Sequence, residues 1–195
     1  MTDNPEQHDP LAALRLTALR ILRDSGEFPE GVRWEASSRG LTMQASPDWE
    51  HAKILTGLRH ALEPVLPAGI LVLEGVAFVV GTGVERTPDL VVLDPSAQAE
   101  FRDGHAVSAS GVLLFVEVTS RGTRSVDLAE KPGEYARAGV PVTLVVDRQA
   151  HDVLVHFEPD KGRYRYTETV RAGEHAHLPE PVRVELDTAF LLEHL

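Results

Sequence analysis

The chain has 195 residues, of which 43% are hydrophobic and 25% charged, with a formal net charge of −11. These are the proportions of an ordinary globular domain large enough to bury a core without staples. The sequence contains no cysteine, which excludes disulfides and thiolate metal centres and suits a cytoplasmic protein. Its acidity argues against loose binding to a polyanion, so a nucleic-acid partner would require a local site rather than the overall field.

The N-terminal stretch MTDNPEQHDP is acidic and polar, unlike a secretory signal, and no run approaches the roughly 18 apolar residues of a membrane helix. Residues 1–9 read as disordered and 10–195 as a single domain. Pro10 opens a helix in which Leu11, Leu14, Leu19 and Leu22 recur at helical spacing until Gly26. VRWEAS and LTMQAS, joined by Ser38-Arg39-Gly40, read as a hairpin. Ser46-Pro47-Asp48 then starts a helix with Ile54, Leu55, Leu58 and Leu62 on one apolar face.

Beyond Pro67 the pattern changes to strands: ILVLEGVAFVV, a Gly-Thr-Gly turn, and PDLVVLDP. Ser96–Ser110 is a polar loop, long for a compact domain, that would flank a functional groove. GVLLFVEV follows as a strand, and SVDLAEKPGEYARAG as a helix interrupted at Pro132 and closed by Gly139. PVTLVVD, DVLVHFEP and GRYRYTETV read as a meander, and the tail as a strand and a short helix. The expected architecture is α/β or α+β, a central sheet with helices packed against it. The apolar first helix or an exposed strand edge offers a surface for a homodimer.

The chemistry concentrates where an apolar strand ends in Glu117. If TPDLVVLDP and GVLLFVEV pair antiparallel with Asp94 near Val112, the same register sets Asp89 opposite Glu117. Opposed carboxylates raise each other's pKa and repel, a penalty that a hard cation such as Mg²⁺ reverses. Pro88 suits the start of the Asp89 strand, since it cannot donate to the ladder. Asp127, Lys131 and Tyr135 are spaced four apart and share one helix face. An ammonium there would position a water and stabilise charge developing on a phosphate.

PDLVVLDP, LLFVEVTSRGTRSVDLAEKPGEYARAGVP and TLVVDRQAHDVLVHF together resemble the Uma-two family of proposed restriction endonucleases, within the PD-(D/E)XK nuclease superfamily. The hairpin and helix start RWEASSRGLTMQASPDWEH extend the likeness to roughly residues 30 to 190. The resemblance implies a restriction-endonuclease-like mixed sheet flanked by helices, and Mg²⁺- or Mn²⁺-dependent cleavage of nucleic acid, DNA by analogy. It implies Asp89 and Glu117 as metal ligands and Lys131 as the catalytic lysine. Glu35 and His51 fall where the family has an acid and a histidine beside the site. Asp127 and Tyr135 stand as auxiliary residues. The sequence departs from the family at Thr119, where most of the superfamily has its lysine, at Ser120–Thr123, and at Thr143-Leu144.

Plainer readings compete. Asp89 would cap a strand, and Glu117 would pair with Lys131 or Arg121. Lys131 would be an exposed helix lysine beside Asp127, His51 an exposed helix histidine, and Glu35 a surface strand acid. His175 and His177 read as a loop pair without a third metal ligand, Gly81–Gly83 as a turn, and GRYRY as a strand with one solvated face. Two rival functions follow: a catalytically inactive oligomeric interaction module, or a metal hydrolase of a small phosphorylated molecule.

Overall fold

A computed structural model describes residues 9–26, 32–44, 46–97 and 106–195. The expectation of disorder over residues 1–9 falls almost wholly outside them, as does the middle of the Ser96–Ser110 loop. The first helix, α1 (Ala12–Asp24), is followed by the hairpin β1 (Arg33–Ser37) and β2 (Gly40–Gln44), and by α2 (Trp49–Leu62). ILVLEGVAFVV divides into β3 (Leu71–Leu73) and β4 (Phe78–Gly81), and β4 turns through Gly-Thr-Gly into β5 (Val84–Arg86). Next come β6 (Leu90–Leu93), the two-residue β7 (Val107–Ser108) and the long apolar β8 (Val112–Val118). The expected interrupted helix is two short ones, α3 (Arg124–Ala129) and α4 (Lys131–Arg137), broken at Glu130 because Pro132 tolerates only the first turn of a helix. The chain ends with β9 (Val142–Asp147), β10 (Asp152–Asp160), β11 (Arg163–Arg171), β12 (His175–Leu178), β13 (Val184–Asp187) and a 3₁₀ turn.

Among the described residues these strands form a central mixed six-stranded sheet, in the order β11-β10-β9-β8-β6-β3. A five-stranded sheet, β2-β1-β5-β4-β7, and the β12-β13 ribbon accompany it. The second sheet was not legible as such. It exists because the bend at Glu74-Gly75 sends one apolar run into two sheets, and because VER, too short to read alone, pairs with β4 and β1. His175 and His177 lie on β12 rather than in a loop, each opposite a β13 residue.

The pleat of the central sheet sorts its side chains. Leu90, Val92, Leu114, Val116 and Val118 face α2 through Ile54, Leu55, Leu58 and Leu62, with β12 and β13 closing that layer. Val91, Leu93 and Phe115 face the other way, onto Tyr135 of α4 and Phe78 of β4. Alternation therefore assigns Asp89 and Glu117, both odd-numbered with Val91 and Phe115, to the α4 side. In α1 the buried positions are Ala12 and Leu19, while Leu14 and Ile21, and Leu11 at the N-cap, are exposed. The expected leucine stripe is thus only partly the core-facing one.

A buried acid cluster beneath an arginine-lined cleft

The antiparallel register of β6 on β8 is Leu90↔Val116, Val91↔Phe115 and Val92↔Leu114. It continues to Asp89, whose N–H donates to the Val116 carbonyl at 3.1 Å, so Asp89 stands beside Glu117 as expected. At the other end a bulge shifts the pairing to Leu93↔Val112, and Asp94 N–H bonds Gly111 rather than lying at Val112. The slip leaves the acidic end untouched.

Glu117 is buried and carries two donors. Lys131 Nζ lies 2.7 Å from its Oε2, and the Tyr135 hydroxyl donates to its Oε1. Lys131 also lies 2.9 Å from Asp127 Oδ1 and 3.9 Å from Glu35 Oε1. The spacing of four carries across the break at Glu130, which keeps Asp127, Lys131 and Tyr135 on the face toward the β8 end. Lys131 is therefore not an exposed helix lysine, nor are His51 and Glu35 surface groups, since all three are buried. Arg121 is exposed and does not pair with Glu117.

Asp89 accepts from the Val118 N–H at 2.9 Å through Oδ2. Its Oδ1 lies 3.3 Å from both Arg33 Nη2 and His51 Nε2. At that distance the Arg33 guanidinium donates a hydrogen bond, whereas the His51 ring is misaligned for one, its Nε2 having no such partner among the described residues. Asp48 caps α2 through the His51 N–H at 2.8 Å, and this fixes the turn that carries His51 inward.

The electrostatics follow from crowding. Burial pushes the Glu117 carboxyl well above its ordinary range; Lys131 opposes that, while Asp127, Asp89 and Glu35 add to it. Burial would likewise lower the Lys131 pKa, but the same carboxylates reverse the sign and hold it as an ammonium. Burial and the adjacent Glu117 raise the Tyr135 phenol well above its usual value, so it remains a neutral donor. Asp127 is raised by burial, against Lys131. Asp89 is the exception. Burial pushes it up, but the contact with His51, the Lys131 charge and the Val118 N–H hold it below its ordinary value.

Beneath this cluster lies a network the sequence did not disclose. Arg86 donates to both oxygens of Glu134, at 2.7 and 2.9 Å, and to Glu35 Oε2 at 2.9 Å. Glu35 Oε1 in turn accepts the Thr87 N–H at 3.0 Å, two residues before Asp89. Three elements, β1, β5 and α4, are thereby tied behind the site. The signal was present in Arg86, a charge adjacent to Thr-Pro-Asp, and in Glu134, one turn after Lys131. Neither has a distinctive spacing.

A cleft of about 880 Å³ opens above these groups, between the β1–β2 hairpin, the start of α2 and the Ser120–Thr123 turn. Its lining includes Glu35, His51, Asp89, Glu117, Asp127 and Lys131, with Tyr135 supporting Glu117 from behind. The described ends of the Ser96–Ser110 loop do not line it; Val107 instead packs into the core beside β4. Thr119, where the superfamily's usual lysine would stand, is buried, and its Oγ1 accepts the Arg148 N–H at 3.0 Å. The ammonium reaches Glu117 from α4 instead.

The donor set fits a hard divalent cation. Each carboxylate oxygen has two acceptor directions, so the partners of Glu117 leave capacity, and Asp89 Oδ1 accepts one hydrogen bond, from Arg33 at 3.3 Å. Among the described residues no three His, Asp or Glu side chains form a ready-made ligand group. Two carboxylates with the remaining shell left to water and substrate oxygens is the usual situation for Mg²⁺.

The fold places the protein in the nuclease-fold class. A crystal structure described as "a putative nuclease belonging to DUF820", from Anabaena variabilis ATCC 29413, matches with a TM-score of 0.64 at 15% identity. The match covers 88% of this chain and 97% of that one. The chain belongs to the Uma2 family, described as "Putative restriction endonuclease", whose model matches residues 18–190. No match is found among curated proteins. None of the helices, over the described residues, is long and apolar enough to cross a membrane.

Proposed function

We propose that this protein is a metal-dependent nuclease that hydrolyses phosphodiester bonds, with Asp89, Glu117 and Lys131 as its catalytic residues and DNA as the favoured substrate. The observation that carries this reading is the Lys131 ammonium 2.7 Å from a buried Glu117 that adjoins Asp89 at the floor of a cleft. Asp89 and Glu117 would hold Mg²⁺ or Mn²⁺ through carboxylate oxygens. When bound, such a cation activates a water and neutralises charge on the phosphate.

The protein's own groups divide the remaining work. Lys131, held as an ammonium by four carboxylates, is a donor and not a base, so it stabilises negative charge on the phosphoryl oxygens. Tyr135 fixes the Glu117 carboxylate, and Asp127 shares Lys131 with it. His51 and the Val118 N–H hold Asp89 in its ionised form. In the reaction the water oxygen bonds to phosphorus and gives up a proton. The P–O bond to the departing strand breaks, and its oxygen takes a proton.

The chain-wide charge of −11 does not extend into the cleft. Six basic side chains (Arg33, Arg39, Arg86, Arg121, Lys131, Arg148) face five acidic ones there, which gives a polyanion the local site it requires. The reading is tested by incubating purified protein with labelled DNA and RNA in Mg²⁺, in Mn²⁺ and in chelator. Cleavage that appears with metal and stops with chelator is expected. Cleavage indifferent to chelator contradicts metal dependence.

A further inference from the structure

One ring nitrogen at the floor of the cleft is unsatisfied. His51 is 6% exposed, and its Nε2 is buried without a hydrogen-bond partner among the described residues. Leaving such an atom unpaired costs about 1–3 kcal/mol. The residue lines the cleft, and this nitrogen lies 3.3 Å from Asp89 Oδ1. Its place is held from α2, from the turn after β9 and from the end of β8. Asp48 caps α2 on the His51 N–H at 2.8 Å, the Arg148 guanidinium donates to Asp48 Oδ2 at 2.9 Å, and the Arg148 N–H donates to Thr119 Oγ1 at 3.0 Å. Thr119, standing where the superfamily has its lysine, thus ties the end of β8 to the turn that carries the histidine.

His51 Nε2 and Asp89 Oδ1 are spaced as two ligands of one ion. At metal–ligand lengths of about 2.1 Å, donors 3.3 Å apart subtend about 100° at the ion, between the octahedral angle of about 90° and the tetrahedral one of about 109°. Both donors are oriented in advance. The Val118 N–H fixes Asp89 through Oδ2 at 2.9 Å, and the helix cap sets His51. Arg33 takes one of the two acceptor directions of Asp89 Oδ1 and leaves the other. Two donors make an edge rather than a complete site, and no third His, Asp or Glu closes it ready-made among the described residues; Glu117 and water are left to supply the remainder. The imidazole decides which ion suits the edge. Mg²⁺ prefers oxygen ligands and gives up its water reluctantly, whereas imidazole nitrogen favours first-row transition metals, with affinity rising from Mn²⁺ through Co²⁺ to Ni²⁺.

We infer that His51 Nε2 is a third ligand of the cation held by Asp89 and Glu117, and that it makes the site selective for a first-row transition-metal ion over Mg²⁺. This rests on the metal-dependent reading above and deepens it by naming a ligand and the class of ion. The ordinary alternative is that His51 only steadies the Asp89 carboxylate by contact, in which case its removal weakens the binding of every divalent ion alike.

The test titrates the chelator-treated full chain with Mn²⁺ and with Mg²⁺ by calorimetry, for wild type and His51→Ala, with folding checked by near-UV circular dichroism. Pulsed electron paramagnetic resonance of the Mn²⁺-loaded wild type supplies a readout that needs no variant, since a directly bound imidazole nitrogen modulates the electron spin echo. Wild type is expected to bind Mn²⁺ at least about tenfold more tightly than Mg²⁺ and to show the nitrogen modulation. His51→Ala should lose the modulation and weaken Mn²⁺ binding by about 10–100-fold, the loss that even an outer-shell partner causes, while Mg²⁺ binding changes by less than about threefold. Mn²⁺ bound to wild type without nitrogen modulation, or modulation that persists in His51→Ala, overturns the ligand role and leaves the Asp89–Glu117 reading intact. Equal weakening of both ions in folded His51→Ala overturns the selectivity. Wild type that binds neither ion overturns both the inference and the metal-dependent reading beneath it.

Discussion

Lys131 and Glu117, 14 positions apart in sequence, meet at 2.7 Å as a buried ion pair, with Asp127 on the other side of the ammonium. Removing one member leaves a charge buried without compensation, at a cost of about 3–5 kcal/mol. Lys131→Met should therefore lower the urea midpoint sharply, and Glu117→Gln in the same chain should recover part of the loss. A coupling of about 0.5–3 kcal/mol in the double-mutant cycle is expected. Strict additivity would mean that the pair does not form.

Arg86 is predicted to matter for folding more than its position behind the cleft suggests. It balances both Glu35 and Glu134 in a buried network, and Arg86→Ala would strand two carboxylates. A destabilisation of about 3–5 kcal/mol is expected from denaturant melts. Because Glu35 also holds the Thr87 N–H, Glu35→Gln should keep that hydrogen bond and unfold less readily than Glu35→Ala.

The Phe190 ring packs directly on the backbone of α2 at Gly57, where an added methyl carbon would lie 2.3 Å from Phe190 Cδ2. Gly57→Ala gains helix propensity yet should destabilise by about 1–3 kcal/mol through overpacking. Adding Phe190→Ala should reverse the sign of the Gly57→Ala effect. A Gly57→Ala protein more stable than the parent would contradict this packing of the C-terminal turn.

His156 supplies a pH signature away from the cleft. It is buried, with Nδ1 2.8 Å from Thr167 Oγ1, and burial lowers its pKa. The unfolded state therefore binds the proton first as pH falls. The stability tied to the neutral ring is fully present above the unfolded pKa of about 6.5, and it is lost as pH drops toward the lower folded value. Thermal melts of wild type and His156→Gln should converge between pH 7 and 5. Glu117, whose raised pKa acts with the opposite sign, is common to both proteins and cancels in the comparison.

Much of the site's framework was readable because it depends on periods. The two-residue alternation of β6 and β8 set Asp89 beside Glu117, and the spacing of four carried Asp127, Lys131 and Tyr135 to one side. The bulge at Leu93 was not readable, because Gly111, which shapes that end, has a tertiary reason to be glycine: its position crowds the Asp94 carbonyl. Nor was the second sheet, whose strands β5 and β7 have three and two residues and acquire meaning only from their partners. Arg86 and Glu134 escaped for the same reason. Long-range ion pairs have no period, and each residue alone reads as an ordinary surface charge.

The most direct measurement is single-turnover cleavage of labelled DNA in Mn²⁺ by wild type, Asp89→Ala and Glu117→Ala. All three should be purified identically and shown to be folded by near-UV circular dichroism. Wild type should cut, and each folded variant should lose at least about two orders of magnitude in rate, as expected when a group central to charge stabilisation is removed. Cleavage by folded Glu117→Ala at the wild-type rate, or no cleavage by the wild type on any nucleic acid, would contradict the assignment of this acid cluster as a nuclease centre.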